Sequence, residues 1–282
     1  MKQKEPASSL GTRLRCPHCQ NVGVFSLSPH RLDRHDEVSV ACSSCGYRIK
    51  LHAHGIPDLI EAEHAATDKP FTQKVMETSL FAKIYETPIW RPLHTFVGSG
   101  MFISTWVDRL LDLGPRGQLE TILDLACGTG HYTRALAARH PEADTYGLDL
   151  SLSMLKQGAR IHAKSDYSHE PLLFVRGDIM VLPFADASID QVNCCGALHL
   201  FPDLDPIWSE IARVLKPGGV LTGEAVCVNR FIAPLQLRVM SKGKASFFER
   251  DWLESALAKV GLGDLHYEQH RLLALFRATR GA

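Results

Sequence analysis

The stretch LDLACGTGHY, residues 123–132, passes from an apolar run into Gly-Thr-Gly at the point where a helix can begin. A glycine turn after a strand brings backbone amides close to a ligand, because glycine lacks a Cβ and tolerates positive φ. Working outward, strand-like and helix-like segments alternate. TILDLAC is followed by a helix through TRALAARH, then DTYGLDL and a helix through SMLKQGARIHAK. PLLFVRGD, SIDQVNCCGAL, a helix through PIWSEIARVL and the strand GGVLTGEAV complete the series. Such alternation specifies a mostly parallel sheet covered by helices on both faces, with its ligand crevice at the carboxyl ends of the strands. WLESALAKVGL reads as one more helix, and GDLHYEQHRLLALFRA as two antiparallel strands.

Three ligands suit the turn: a dinucleotide pyrophosphate, a phosphate, or the amino-acid end of S-adenosylmethionine. A dinucleotide fingerprint asks for a third glycine three residues after the second, and Thr133 stands there. No Lys followed by Ser or Thr opens the helix, which excludes a phosphate-binding P-loop. Asp124 precedes the turn, placed to organise an ammonium end. Asp149 closes the next strand about 20 residues on, where a carboxylate takes both ribose hydroxyls. Asp178 ends the third, able to accept from an adenine amino group while Ile179 and Leu182 wall the ring. Each aspartate alone reads as a solvated loop residue or helix cap, but the three together fit adenosine joined to an amino acid and need no phosphate. Ser151 reads as the amino-terminal cap of the helix carrying Met154.

On these residues the chain resembles the class I S-adenosylmethionine-dependent methyltransferases, and VNCCGALHLFPDLDPIWSEIARVLKPGG is most similar to their ubiquinone and menaquinone biosynthesis subgroup. The resemblance covers residues 119–228 well. It implies an α/β, Rossmann-like, mostly parallel seven-stranded sheet, with Asp124, Ala126, Gly128, Gly130, Asp149, Leu150, Met154, Asp178, Ile179 and Cys195 along S-adenosylmethionine. Ala126 replaces a glycine of many members, and alanine is common in the quinone-type branch.

The amino-terminal part carries CPHC (16–19) and CSSC (42–45), two CxxC knuckles 22 residues apart. Two such knuckles turn Cys16, Cys19, Cys42 and Cys45 toward one point, a tetrahedral structural zinc site with no open position for chemistry. A redox CxxC would account for one pair and not for two. NVGVFSLS, EVSVAC and YRIKLHAHGIPDLI read as ribbon strands, the last a single strand running out of the ribbon. A four-cysteine ribbon ahead of this domain also resembles guanine-N1 methyltransferases of large-subunit ribosomal RNA and ribbon-bearing methyltransferases of plants and bacteria, with GALHLFPD closer to the latter.

The expected organisation is a zinc ribbon over 1–66, a helical linker or lid over 67–113, and a methyltransferase domain over 114–282 with a cap loop at 229–250. In the linker, helical spacing in FTQKVMETSLFAKIYET and GSGMFISTWVDRLLDL is broken by PIWRP at 88–92. Tyr85, Trp90, Arg91, His94 and Phe96 there suit a lid over cofactor and substrate as well as simple packing. The cap loop mixes apolar side chains with Arg230, Arg238, Lys242, Lys244 and Arg250, suiting a cover for an apolar acceptor, a grip on phosphates, or a solvated loop.

Methyl transfer is an in-line displacement at an activated carbon, so the protein chiefly aligns the reactants and excludes water, and no obligatory base is needed. The catalytic candidates are His199, in GALHLF just past the fourth strand, and His131 and Tyr132 after the glycine turn. Packing beside the cofactor is the competing reading for His199. Cys194 and Cys195 read as buried strand residues with nothing nearby to activate a thiolate.

Lys plus Arg, 31, equals Asp plus Glu, 31, and residues 1–66 hold eight basic and seven acidic side chains, hardly a platform for RNA. No apolar run approaches the roughly 18 residues of a membrane span, and the thiols divide into a metal set and a buried set, which favours the cytoplasm. The sequence therefore favours methyl transfer to a small-molecule acceptor, ahead of a ribosomal RNA guanine-N1 methyltransferase and of a non-catalytic binding module.

Overall fold

The computed structural model describes residues 13–25, 38–60, 90–165, 171–227 and 248–282, with Trp90 described by its backbone alone. Tyr85, the helix expected over FTQKVMETSLFAKIYET, and Arg230, Arg238, Lys242 and Lys244 of the cap loop lie outside these residues.

Continuously apolar segments become central strands because both faces of a parallel sheet are buried. β4 (Thr121–Leu125) is buried at every residue. It lies parallel to β5 (Asp144–Asp149) on one side and to β7 (Ile189–Cys195) on the other. β6 (Leu172–Arg176) flanks β5, while β8 (Leu215–Val226) flanks β7 and pairs antiparallel with β10 (Leu273–Arg280), itself antiparallel to β9 (Leu262–His270). The seven-stranded order is therefore β6-β5-β4-β7-β8-β10-β9. The chain moves outward through β4, β5 and β6 and returns to β7, so the strand order reverses between β4 and β7. In a doubly wound sheet that reversal opens the crevice where ligands bind.

α3 (His131–Arg139), α4 (Leu152–His162), α5 (Asp205–Val214) and α6 (Arg250–Ala258) connect or cover these strands. As expected, Ser151 caps α4, its hydroxyl accepting from the Met154 amide at 3.4 Å. α6 stops short of the expected segment, and Gly261 follows with φ of 78°.

The helix expected over 98–113 is instead the end of one helix and all of another. α1 (Trp90–Ser99) begins inside PIWRP, because Pro92 falls in a first turn where its missing N–H breaks no helical bond. Gly100, at φ of 81°, ends it, and a Cβ there would lie 2.9 Å from Arg271 Cζ. α2 (Ile103–Leu113) then lies on the sheet, with Trp106 and Leu110 packed against Leu273 and Leu275. This helix of the expected linker is thus part of the sheet's own packing.

In the amino-terminal module, β1 (Val38–Ala41) and β2 (Arg48–His52) form a hairpin joined by β3 (Ile56–Pro57). YRIKLHAHGIPDLI is therefore not one strand. A 3-10 turn over Ala53–Gly55, with His54 at φ of 67° and Gly55 at φ of 75°, folds β3 back onto β2. Of NVGVFSLS, the described part contributes a single bridge, Arg15 to Val22.

Ala126 adopts φ of 49°, a left-handed conformation in which its Cβ crowds the backbone. Ala126→Gly is expected to raise the stability of the ligand-free protein by about 1 kcal/mol, read by thermal denaturation. A lower melting temperature would mean that the Ala126 methyl packs more favourably than its backbone is strained.

Candidate cofactor and acceptor site

The glycine turn is held from three sides. The Cys127 amide donates to the Leu148 carbonyl at 3.0 Å, and the Gly130 amide to the Cys127 carbonyl at 2.9 Å. Gly130 has φ of 75°, and a Cβ there would meet the Phe174 ring at 2.5 Å. A Cβ on Gly158 of α4 would come within 2.6 Å of the Thr129 carbonyl oxygen. Glycine is thus required twice, for conformation in the turn and for close approach of the helix beside it.

Asp149, at the end of β5, faces this turn. Its Oδ2 accepts from the Gly128 amide at 2.8 Å and its Oδ1 from the Ser151 amide at 2.7 Å. Asp124 lies beneath the turn and is 1% exposed. Its Oδ2 accepts from Thr133 Oγ1 at 2.5 Å and its Oδ1 from Asn193 Nδ2 at 2.6 Å. Burial pushes its pKa up to about 6, and those two donors oppose the shift. Both oxygens are engaged internally, so Asp124 braces the turn through Thr133 and ties it to β7 through Asn193.

Asp178 follows β6 and accepts from the Met180 amide at 2.9 Å, with Ile179 and Leu182 buried beside it. The Leu150 carbonyl accepts from Arg176 Nε at 3.2 Å. Met154 is buried. Cys195 ends β7, its thiol pushed well above the usual range by burial and by the nearby carboxylates Glu224 and Asp124. Cys194 is fully buried and its thiol is likewise raised, so neither offers a thiolate.

Toward β7 and β8 the character changes. Glu224 of β8 lies opposite Cys195 in the β7 register and is 6% exposed. Its Oε2 accepts from Trp106 Nε1 at 2.5 Å and from the Tyr132 hydroxyl at 3.2 Å. Burial raises its pKa against the opposing Trp106 hydrogen bond, the His94 and Arg91 charges and the Tyr132 hydroxyl. His199 lies in a short 3-10 turn, Leu198–Leu200, where burial and His94 lower its pKa to about 4. His131 stands edge-on to Tyr132 at 5.5 Å. Burial, with Arg91 and Arg134 nearby, lowers the His131 pKa to about 3. Arg91 Nη2 also donates to Thr129 Oγ1 at 3.3 Å, linking α1 to the glycine turn.

Structure thus joins Tyr132 to Glu224 directly, and sets both histidine candidates in their neutral form at pH 7. Glu224 and Trp106 are absent from the sequence-derived candidates. The available signal is the single acid within the apolar strand VLTGEAV, since glutamate is seldom fully buried unless paired.

The neutral state of His131 has a measurable consequence. Its folded pKa lies below the unfolded value near 6.5, so its contribution is complete above 6.5 and is lost as the unfolded chain takes up protons below it. Between pH 6.5 and 4.5, wild type is expected to lose about 2 kcal/mol more stability than His131→Gln, measured by denaturant unfolding. Parallel pH profiles would contradict the burial of a neutral imidazole.

In the amino-terminal module, the Sγ atoms of Cys16, Cys19, Cys42 and Cys45 all lie within 4.8 Å of one another. The Cys16–Cys45 and Cys19–Cys42 pairs are each 3.7 Å apart. A tetrahedron with metal–sulfur bonds of about 2.3 Å has edges of about 3.8 Å, so the donor set fits zinc in size and chemistry.

Comparison with known proteins bears on this geometry. The family pattern described as a methyltransferase domain matches residues 123–222, from β4 into β8. The demethylmenaquinone methyltransferase of Bacillus licheniformis is 33% identical over 179 residues, covering 57% of this chain and 72% of that protein. The chain belongs to the class I S-adenosylmethionine-dependent methyltransferases. An uncharacterised chloroplastic methyltransferase of Arabidopsis thaliana is 28% identical over 229 residues, 73% of this chain, and the chain spans 59% of that relative's length. Phosphoethanolamine N-methyltransferase 2 of Haemonchus contortus, solved with S-adenosylmethionine, superposes with a TM-score of 0.60 at 19% identity, covering 75% of this methyltransferase and 59% of that chain. At that identity the likeness concerns the fold. No described helix is long and apolar enough to cross a membrane.

Proposed function

We propose that this methyltransferase acts on a small-molecule acceptor held at the carboxyl ends of β7 and β8, and that its four cysteines bind a structural zinc ion. The observation that carries the acceptor reading is the buried group around Glu224. The Trp106 indole and the Tyr132 phenol both donate to the Glu224 carboxylate near the end of β8, and the His199 imidazole lies in the turn that follows β7, so polar groups suited to a small ligand occur at the carboxyl ends of both strands. A demethylmenaquinone methyltransferase among the relatives supports a small-molecule acceptor.

The ribose is assigned to Asp149, whose bonds to Gly128 and Ser151 hold the carboxylate at the mouth of the turn. The adenine is assigned to Asp178, Ile179 and Leu182. The amino-acid end is assigned to the turn over Ala126, Gly128 and Gly130, where glycine lets a ligand approach the backbone closely, with Leu150, Met154 and Cys195 completing the wall. When bound, S-adenosylmethionine would supply an activated methyl carbon for transfer to an electron pair on an oxygen, nitrogen or carbon atom of the acceptor, with the sulfur as leaving group. The chain's residues orient that acceptor and keep water out. A proton released by a hydroxyl or amine acceptor can go to neutral His199, a weak base at its lowered pKa, or to the Glu224 carboxylate, whose affinity for a proton burial raises. Tyr132 orients the carboxylate for either use. Four cysteines gather at one point as a metal-binding set and Cys194 lies buried in the central strand β7, which supports a reducing compartment such as the cytoplasm.

The test is transfer of radiolabelled methyl from S-adenosylmethionine to an extract of source cells lacking this gene, separated into RNA, protein and small-molecule fractions. Label in the small-molecule fraction is expected. Label in RNA would overturn the acceptor reading and favour ribosomal RNA. One zinc per chain by elemental analysis, lost on Cys16→Ser, is the expected companion result.

A further inference from the structure

The amino-terminal module is joined to the strand and loop to which adenine is assigned, and it touches them in two places. At the first, residues 13–15 run antiparallel to 183–185. Leu14 bridges Phe184, the Arg15 amide donates to the Pro183 carbonyl at 3.0 Å, and the Ala185 amide to the Arg13 carbonyl at 3.4 Å. At the second, the chain leaving β3 continues along β6, the edge strand of the large sheet. Asp58 bridges Arg176 in parallel, and the Leu59 amide donates to the Arg176 carbonyl at 2.9 Å. An open sheet edge offers unpaired amides and carbonyls, and here the module occupies them.

Between these two seams lies the loop carrying Asp178, Ile179 and Leu182. A small cleft is lined jointly by Arg15 and Leu59 from the module and by Asp178 and Leu182 from the loop. Leu14, Leu51 and Leu59 share one buried cluster with Leu148, Val175, Leu182 and Phe184, so no solvent layer separates the two parts.

Arg176 connects them through side chains. Its Nη1 pairs with Asp58 Oδ2 at 2.7 Å, and its Nε donates to the carbonyl of Leu150, the residue after Asp149, at 3.2 Å. His52 Nε2 reaches the same Asp58 oxygen at 3.0 Å. Although burial works to raise it, the Asp58 carboxyl is held below its ordinary range by His52 and Arg176. A continuous path therefore runs from β2 through Asp58 and Arg176 to the backbone beside the ribose carboxylate. The metal cluster is adjacent in the chain, because Cys16 follows Arg15 directly and closes its own turn through the Gln20 amide at 2.9 Å.

We infer that the cysteine module positions the cofactor site, with Arg176 as the positioning residue, so that an ordered module gives tight cofactor binding and a loosened one gives weak binding. The inference rests on the seating of adenosine proposed above. Loss of zinc would free residues 13–16, release the loop at 178–184 from one seam, and leave Arg176 to hold the Leu150 carbonyl with a mobile Asp58.

The test is equilibrium titration of S-adenosylhomocysteine into the full-length chain as wild type, Arg176→Ala and Arg176→Lys, each with and without a zinc chelator, with circular dichroism reporting the α/β fold. Chelation is expected to weaken wild-type binding about tenfold or more while helical signal persists. Arg176→Ala is expected to weaken binding to a similar extent, with Arg176→Lys recovering part of it. Chelation should then weaken Arg176→Ala by a clearly smaller factor than it weakens wild type, because the two share the route through Asp58 and Arg176 and only the seam at residues 13–15 remains to be lost. A merely structural arginine would lower the melting temperature without that non-additivity. Wild-type affinity in both the chelated protein and Arg176→Ala, or effects that multiply independently, would overturn the inference. Should Arg176→Ala fail to fold, Asp58→Asn replaces it in the same cycle. Absence of binding by the zinc-loaded wild type would instead refute the proposed seating of the cofactor.

Discussion

Asp149→Ala is expected to weaken S-adenosylhomocysteine binding at least about 100-fold, because two hydrogen bonds to a charged acceptor are each worth about 1.5–3 kcal/mol. The same carboxylate receives the Gly128 and Ser151 amides, so the variant should also lose about 1–3 kcal/mol of stability while remaining folded. Asp149→Asn tests the chemistry with little change of shape. Its amide nitrogen would face either the Gly128 or the Ser151 N–H, setting donor against donor, so it too should bind poorly. Calorimetric titration decides the matter, and near-wild-type affinity in both variants would place the ribose elsewhere.

Trp106→Ala is expected to cost about 3–5 kcal/mol, the usual range for removing a buried tryptophan. Trp106 is fully buried against Leu273 and Leu275, and its indole is the nearer of the two donors to Glu224. Trp106→Phe retains most of the packing and removes only the donor, so about 1–3 kcal/mol of loss should remain in it. Denaturant unfolding of the two variants separates packing from hydrogen bonding. A loss of less than about 1 kcal/mol in Trp106→Ala would mean that α2 does not anchor on the sheet.

These two positions differ in how plainly the sequence announces them. Asp149 sits at the end of an apolar strand at a fixed distance from a glycine turn, so a local pattern suffices to single it out. The same holds for the order of the central strands, for the cap at Ser151, and for the gathering of the four cysteine sulfurs. Trp106 and Glu224 are 118 residues apart, and nothing local to either marks the other as its partner. Asp58 and Arg176 are also 118 residues apart, and each reads by itself as an ordinary surface charge.

Two misreadings have local causes of their own. PIWRP looks like a helix breaker, yet proline is tolerated in a first turn, and the true break is Gly100 with its left-handed backbone. YRIKLHAHGIPDLI has strand-like composition, but its direction is reversed by positive φ at His54 and Gly55, the first of which carries no glycine signature. Asp124 shows a third limit. Its position was legible, but its engagement with Thr133 and Asn193 depends on how β7 lies beside β4.

The most direct test of the account is the crystal structure of this chain with S-adenosylhomocysteine bound. Both ribose hydroxyls are predicted within hydrogen-bonding distance of the Asp149 carboxylate, with the adenine between Ile179 and Leu182 and its amino group on Asp178. A ribose away from Asp149, or an adenine outside the Asp178–Leu182 loop, would contradict it.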